Sequence, residues 1–443
     1  MAGVSPARAC AFTVVRRVFE EGAYADRALA AEAAGLDGRD HALAMQIAYG
    51  TVQRRLTLDH VAKGLVRRSL DGLEPAVLAG LRIGLFQLLY LDGVAAHAVV
   101  QESVELVKAC SRGGGGLVNA VLRRAARERG GLLADMGDAS PADAAVAHSV
   151  PPWLAELWWS ELGGEETRAL LREINRPSET ALRVNTLITS VDEVMEELPV
   201  PAHGAPGLPE AVVLEGSFDI AGSELFVRGA ITPQSRASML VARVLAPAPG
   251  DHVLDLCAAP GAKTTHLAAL MRDDGAVVAV ERHSGRARAL AQTCGRMQVR
   301  CVEIRAQDAL ELTDEARYDR VLLDPPCSGL GTLQSRPDRR WRAHPEAISE
   351  LAELQARLLR VAAAATRPGG TLVYSVCTIS EQEGAGVIDA FLAGHPSWTA
   401  DDLGADYPHW RHRDRTRYLQ LLPHRDGTDG FFIARLRRDP PNG

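Results

Sequence analysis

Two cysteines stand where a folded sheet could use them in chemistry. Cys327 follows an apolar run and the stiff turn Asp324–Pro326, and Cys377 ends a second apolar run, TLVYSVC. Because ligands of parallel sheets gather beyond the carboxyl ends of the strands, we expect both thiols in one cleft. A cysteine there is a candidate nucleophile if a cation such as Lys263 stabilises its thiolate. The alternative is two buried structural cysteines.

A loop of small residues follows an earlier apolar run, HVLDL. Small side chains let a ligand approach the backbone, and the helix that begins near Lys263 presents free N–H groups. The pattern is not G-x-G-x-x-G, so a dinucleotide with a pyrophosphate is disfavoured. The candidate ligand-binding residues of this loop are Cys257, Ala258, Ala259, Pro260, Gly261, Ala262 and Lys263.

Acidic residues end the neighbouring apolar runs. Glu281 stands 26 residues after Asp255, a place that suits recognition of a ribose diol. Asp308 ends the next run, where it could meet an adenine, and Asp324 completes the candidate set. Together with the small-residue loop, these acids favour a nucleoside-bearing ligand such as S-adenosylmethionine. Each acid by itself is more often a loop or cap residue.

Lysine is nearly absent from a chain that contains 49 lysines and arginines in total. It occurs only as Lys63, Lys108 and Lys263, so arginine supplies almost every generic positive charge. A specific need for a compact ammonium at Lys263 is one explanation. Compositional drift that spared a single lysine is the other.

The order of helical and strand patterns predicts a multidomain protein. Apolar residues recur at helical spacing through 7–130, which predicts an all-α bundle of five to seven helices in domain 1–135. Residues 136–228 predict a small α+β connecting domain, in which the run PVPAHGAPGLPE is an interruption. Residues 229–443 alternate strand and helix, which predicts an α/β Rossmann-like domain with a largely parallel sheet.

Composition is that of a soluble globular protein, with 443 residues, 47% hydrophobic and 24% charged. The longest apolar runs are shorter than a membrane span needs, and Arg16 and Arg17 interrupt the N-terminal one, so we expect a cytoplasmic protein. We also expect it to be a monomer. The net charge of −7 divides into +3 over residues 1–135 and −10 over the remainder. The seven cysteines form no CxxC pair, so neither a metal site nor a disulfide framework is expected.

The segment Ser335–Arg342 carries four arginines and a tryptophan just after the Cys327 turn. Arginines and an aromatic ring near an active edge suit phosphate contact and base stacking. A solvated loop is the alternative.

Four segments of the C-terminal part, DLCAAPGAKT, LDPPCSGLGTL, YSVCT and DGFFIARL, resemble the Nop/Sun family of RNA cytosine-5 methyltransferases. Residues 1–135 resemble the NusB family of RNA-binding helical domains. The combination is similar to the bacterial Sun-type enzymes that modify 16S ribosomal RNA. The resemblance implies a class I methyltransferase domain, S-adenosylmethionine as cofactor and small-subunit ribosomal RNA as partner.

The resemblance also implies roles for the site residues. Cys377 would attack carbon 6 of the cytosine, which makes carbon 5 able to accept a methyl group, and Cys327 would assist release. Asp324 would hydrogen-bond near ring nitrogen 3, and Lys263 would lower a thiol pKa or orient the site. The target base would leave its stack to enter the cleft.

Three positions depart from the family pattern. Val376 replaces a threonine before the nucleophile, Ser235 replaces an aspartate after Gln234, and TISEQEGAG lacks a common asparagine. These changes put substrate fit and efficiency in question, while both cysteines, Asp324 and Lys263 are in place.

Other functions remain open at this point. Amino-group methyltransferases also use Asp-Pro-Pro turns, although they usually follow the prolines with an aromatic residue where this chain has Cys327. A transfer RNA cytosine-5 methyltransferase is a second alternative. A non-catalytic NusB-like RNA-binding factor is a third, which the intact loop before Lys263 disfavours.

Overall fold

The computed structural model describes residues 3–66, 69–134 and 136–440. Its internal contacts divide the chain into two units. The first unit comprises Met1–Arg176 together with Leu333–Arg342, and the second comprises Pro177–Thr332 and Ala343–Gly443. The boundaries that the sequence places after residues 135 and 228 stay predictions.

The described residues of the first unit form helices joined by turns and contain no strand. Seven helices fall between residues 6 and 128, which confirms the predicted bundle, and three further helices follow. Proline in the first turn starts several of them, where its missing N–H costs nothing. The helices are α1 Pro6–Glu20, α2 Ala25–Glu32, α3 Gly38–Gln53, α4 Arg55–Leu65, α5 Pro75–Tyr90, α6 Ala96–Lys108, α7 Gly114–Glu128, α8 Pro141–His148, α9 Pro152–Leu162 and α10 Gly164–Glu173.

Helix α5 runs through the centre of the bundle and is buried over most of its length. A side-chain carbon at Gly84 would lie 2.4 Å from Leu122 on α7, and one at Gly80 would lie 2.2 Å from Val107 on α6. Glycine at these two positions therefore sets how closely the helices approach.

The second unit begins with a four-stranded antiparallel sheet in the order β2-β3-β1-β4. The strands are β1 Thr180–Val184, β2 Ala202–Ala205, β3 Leu208–Leu214 and β4 Ile231–Pro233, with α11 Val191–Glu197 and α12 Glu224–Val227 beside them. The expectation that PVPAHGAPGLPE interrupts the structure is wrong. The run forms the β2–β3 hairpin, because Gly207 supplies the positive φ of 77° that the tight turn needs.

The larger sheet has eight strands in the order β10-β12-β9-β8-β5-β6-β7, with β11 paired to β12. Strands β5 to β9 are parallel and β12 is antiparallel, which confirms the predicted Rossmann-like fold. The strand order reverses at β5, and such a switch point is where doubly wound sheets bind ligands. The strands are β5 His252–Leu256, β6 Ala276–Val280, β7 Val302–Arg305, β8 Tyr318–Leu323, β9 Thr366–Val376, β10 Trp398–Ala400, β11 Leu419–Leu421 and β12 Phe431–Arg438.

Helices cover both faces of this sheet. They are α13 Arg236–Leu245, α14 Ala262–Leu270, α15 Ser284–Arg296, α17 Pro345–Ala365, α18 Ala385–Gly394, α19 Leu403–Asp406 and α20 Pro423–Asp426. A short helix, α16 Arg339–Arg342, lies in the segment that belongs to the first unit. In the described parts of the chain, none of the helices combines the length and the apolar character needed to traverse a bilayer.

Helix α17 passes directly into strand β9. The helix ends at Ala365 and β9 begins at the next residue, Thr366. Thr366 pairs with Tyr318 and Thr371 pairs with Arg320, so the residues between them bulge out of the ladder. Proline and glycine are tolerated there because the bulge leaves them outside regular pairing.

Candidate active site

The two predicted nucleophiles meet at the ends of neighbouring parallel strands. Cys327 follows β8 and Cys377 follows β9, and their sulfur atoms lie 3.4 Å apart as free thiols. The hydrogen bond with Cys377 and then burial raise the pKa of Cys327 well above its usual value. Cys327 is therefore held as a thiol that can donate to the Cys377 sulfur.

Asp324 is anchored on both of its carboxylate oxygens. Lys263 donates to Oδ2 at 2.8 Å, and the Ser375 hydroxyl donates to Oδ1 at 2.9 Å. Burial alone would lower the pKa of Lys263, but Asp324 outweighs it and the pKa is raised. The ammonium also lies 5.3 Å from the centre of the Phe431 ring. Lys263 thus stays charged, and its direct partner is the Asp324 carboxylate rather than a thiol.

Glu383 ties the two cysteine loops together, and sequence reasoning missed it. Its fully buried carboxylate accepts from the Ser328 backbone N–H at 2.8 Å and from Gln355 Nε2 at 3.0 Å. The Ser328 and Thr378 hydroxyls lie 2.7 Å apart and both contact the same carboxylate. Ser328 is next to Cys327 and Thr378 is next to Cys377. One acid therefore fixes the backbone beside both thiols.

Two further side chains, Gln355 and Tyr374, stabilise the loops that carry the two cysteines. Gln355 on α17 donates to the Pro326 carbonyl at 2.9 Å, which holds the proline turn. The Tyr374 hydroxyl on β9 donates to the Glu383 carbonyl at 2.6 Å. The proline turn is therefore positioned by helix α17 as well as by its own stiffness.

The small-residue loop packs against α15 more tightly than the sequence suggested. Ala258 and Ala259 are buried beside Leu290 and Cys294. Gly261 has φ of 105°, and a side-chain carbon there would lie 2.7 Å from Leu290. Packing is therefore a second reason for these residues to be small, and the approach of a ligand to their backbone stays a prediction. Helix α14 begins at Ala262, as expected.

The predicted acids lie at the carboxyl ends of adjacent strands. Glu281, only 2% exposed, follows β6 and accepts from the His283 backbone N–H at 2.8 Å. Asp308 follows β7 and caps a 3₁₀ turn by accepting from the Leu310 N–H at 3.0 Å, which occupies its Oδ1. Carboxylate oxygens accept more than one hydrogen bond. These two acceptors therefore fit a ligand that donates from ribose hydroxyls and an exocyclic amine.

Arg183 is a second residue that sequence reasoning missed. This fully buried side chain on β1 donates to Gln234 Oε1 and Thr265 Oγ1, both at 2.8 Å, and also to the Ala262 carbonyl. Burial lowers its pKa to about 9. The four-stranded sheet thereby holds the start of α14, just before Lys263.

The segment Ser335–Arg342 does not present its predicted RNA-binding residues freely. Within the first unit, Arg340 is fully buried and donates to the carbonyls of Ser149 and Ile174 at 3.1 and 3.3 Å. Trp341 donates to the Val52 carbonyl at 2.7 Å. The stacking and phosphate roles are therefore wrong for these two residues, and so is the solvated loop. Arg336 and Arg342 remain exposed.

The doubly wound sheet and the cluster at its strand ends define a methyltransferase. The sequence matches the 16S rRNA methyltransferase RsmB/F family over residues 242–437, the NusB family over 5–127 and the RsmF/B-like ferredoxin-like domain over 150–221. The chain belongs to the 16S rRNA methyltransferase RsmB/F family.

Relatives match over nearly the whole chain. Ribosomal RNA small subunit methyltransferase B of Thermus thermophilus is 36% identical over 402 residues, covering 90% of this chain and 89% of that protein. The protein of the same name in Pseudomonas putida is 33% identical over 417 residues, covering 90% and 91%. The crystal structure of PH0851 has a TM-score of 0.84 at 28% identity and covers 98% of this chain and 99% of its own.

Proposed function

We propose that this protein methylates carbon 5 of a cytosine in small-subunit ribosomal RNA, with S-adenosylmethionine as methyl donor. The contact of 3.4 Å between the Cys327 and Cys377 sulfurs carries the proposal, because amino-group methylation has no use for paired thiols. The names of the relatives from Thermus thermophilus and Pseudomonas putida support ribosomal RNA as the substrate.

The methyl donor would be held at the ends of β5, β6 and β7. Glu281 suits the ribose hydroxyls, and Asp308 suits the adenine through the oxygen that it does not use in capping. Residues 257–263 would border the donor, as would Asp324. Bound there, S-adenosylmethionine supplies a methyl group made electrophilic by its sulfonium.

Cys377 is the proposed nucleophile. Carbon 5 of cytosine is a poor nucleophile until its ring is disturbed. A bond from the Cys377 sulfur to carbon 6 makes carbon 5 enamine-like and able to accept a methyl group. The raised pKa of Cys327 favours this division of roles, since a neutral Cys327 thiol can donate to a Cys377 thiolate.

Asp324 is proposed to face ring nitrogen 3. Lys263 and Ser375 hold the carboxylate in one orientation, and its remaining lone pairs can accept from the exocyclic amine of the base. As carbon 6 is attacked, nitrogen 3 takes a proton from water, and a carboxylate fixed in this way accepts from the new N–H without having to reorganise. Lys263 therefore acts by positioning Asp324 and by keeping positive charge near Cys377.

Cys327 is proposed to assist removal of the carbon 5 proton, after which the bond to Cys377 breaks. The main cause of its raised pKa is the Cys377 sulfur. Once that sulfur is bonded to carbon 6 it is no longer anionic, so the Cys327 thiolate becomes easier to form. The Cys327 thiolate that removes the carbon 5 proton is therefore easier to form after Cys377 has bonded to the base than before.

The test is transfer of labelled methyl groups to small-subunit ribosomal RNA by wild type and Cys377→Ala. We expect wild-type transfer, with 5-methylcytosine found by bisulfite sequencing, and transfer at background for the variant. Cys110→Ala, which removes an exposed cysteine of the first unit, is the matched control. Undiminished transfer by Cys377→Ala would overturn the assigned nucleophile, and transfer to transfer RNA alone would overturn the substrate.

A further inference from the structure

A cavity of about 370 Å³ lies within the first unit, among α3, α5, α8 and α10. Its lining includes three arginines, a histidine, a tyrosine and an aspartate. Those that matter are Arg54, Tyr90, Asp138, His148, Arg172 and Arg176. Its volume is in the range of ligand-binding clefts.

Arg54 differs from the other charged residues of this cavity because its side chain has no counter-charge. It is partly buried at the end of α3, and its guanidinium lies 4.7 Å from the centre of the Tyr90 ring. Burial lowers its pKa. Among the described residues, no carboxylate or carbonyl accepts a hydrogen bond from its guanidinium, and Tyr90 is the group beside it. A desolvated cation without a counter-charge is unfavourable, so its retention calls for an anionic partner.

The other charged side chains of the cavity pair with groups of opposite charge. Arg172 donates to Asp138 at 2.7 Å, and His148 lies 3.1 Å from the same carboxylate. Arg176 pairs with Glu173 at 3.2 Å. Arg54 is therefore the cation of the cavity whose charge no acidic side chain balances.

The wall behind the cavity adds a second cation. Asn175 lines the cavity, and its side-chain oxygen accepts from the buried Arg340 at 3.0 Å. Arg54 also lowers the pKa of Arg340, after the larger effect of burial. The Tyr90 ring already stacks with Phe86 as well as with Arg54. The cavity therefore offers positive charge to a ligand, whereas its aromatic ring already has stacking partners and is not available to a nucleic-acid base.

We propose that this cavity, named here the Arg54 cavity, binds a backbone phosphate of the RNA substrate. The proposal rests on the proposed function, because RNA is the polyanion that the enzyme acts on. The planar guanidinium of an arginine donates two parallel hydrogen bonds to phosphate oxygens. A phosphate would therefore supply the anionic partner that Arg54 lacks. Arg172 and Arg176, more than half exposed, stand where they can exchange their acids for neighbouring phosphates.

The experiment compares Arg54→Met with Arg39→Met, which removes an exposed arginine from the same helix. Each protein is titrated with a fluorescently labelled small-subunit rRNA transcript in the presence of S-adenosylhomocysteine, at several salt concentrations. For Arg54→Met we expect binding about tenfold weaker, as for one lost charge-assisted contact. The slope of log Kd against log salt should fall by about 0.7–0.9. Arg39→Met should behave as wild type.

Thermal unfolding separates ligand binding from a packing role. Removing a partly buried cation that has no counter-charge should leave the RNA-free protein as stable as wild type or more so. Arg54→Lys, which keeps the charge and loses the fork, should bind with intermediate affinity. The proposal is overturned if Arg54→Met binds RNA like wild type, or if both Arg54 variants lose affinity and stability together. Methyl transfer by wild type tests the proposed function separately.

Discussion

Cys327 and Cys377 bring their sulfur atoms within 3.4 Å although 50 residues separate them in the sequence. The contact follows from the pairing of β8 with β9, which aligns the ends of the two strands at one edge of the sheet. Only one of the two sulfurs has to be a nucleophile. The pair therefore predicts a division of labour that single substitutions can separate.

Cys327→Ala is expected to trap a covalent complex between protein and RNA. Cys377 can still attack the base, but the proton on carbon 5 is removed slowly, so the bond to the enzyme persists. The complex is measured as a shifted band on denaturing gels after incubation with RNA and S-adenosylmethionine. It should vanish in the double variant Cys327→Ala/Cys377→Ala. A gel without shifted protein for the single variant would contradict the release role.

Lys263→Met is expected to reduce kcat about 100-fold, the scale of losing one preorganised charged group at a reacting centre. Of the two donors that hold Asp324, the substitution leaves the Ser375 hydroxyl alone, and it removes the cation near Cys377. Lys108→Met is the matched control, because Lys108 is exposed and pairs with Glu105 on α6. Equal kcat values for the two variants would show that Lys263 does not position the site.

Glu383→Ala is expected to lower the free energy of unfolding by about 2–4 kcal/mol, because several buried donors lose their acceptor. At temperatures where the variant stays folded, kcat should fall while KM for RNA changes little, since the loops beside both thiols loosen. Glu383→Gln, which retains one acceptor oxygen, should recover part of both. The control is Glu350→Ala, an exposed position on α17. A change in KM alone would contradict the positioning role.

Asp255 predicts a pH dependence of stability. Burial raises its pKa to about 7, although Thr264 donates to it. The folded state thus binds a proton that the unfolded state has released above about pH 4, so this stabilisation is lost as the pH rises from about 4 to 7. Asp255→Asn does not titrate. Relative to wild type, its free energy of unfolding should therefore be higher at pH 8 than at pH 5, by about 2–3 kcal/mol.

Urea unfolding at the two pH values measures this difference. His266→Gln serves as the comparison, because burial lowers the pKa of His266 to about 4, below the tested range. A stability difference between Asp255→Asn and wild type that is the same at both pH values would show that Asp255 does not titrate between them.

Much of the catalytic unit could be predicted from the sequence. Buried parallel strands are continuous apolar runs, and residues just after them must lie at one edge of the sheet. That geometry is sufficient to bring Cys327, Cys377 and Asp324 together. Helical periodicity likewise predicts the bundle of the first unit, because each helix buries one stripe.

The rest depends on contacts that sequence distance hides. Glu383 and Arg340 are charged residues in polar surroundings, a pattern typical of surface positions, and only tertiary partners explain their burial. The β2–β3 hairpin was missed because its prolines and glycine are typical of loops as well as of tight turns. Local patterns cannot distinguish these cases.

The segment Leu333–Arg342 makes the helical unit discontinuous in sequence. A fragment that stops at Arg176 would lack Arg340, and the Ser149 and Ile174 carbonyls would lose a buried donor. Two separate stretches of the gene therefore encode the first unit. Transplanting the unit intact to another enzyme requires a ten-residue graft as well, and a synthetic peptide of those residues would act on the fragment as a stabilising ligand.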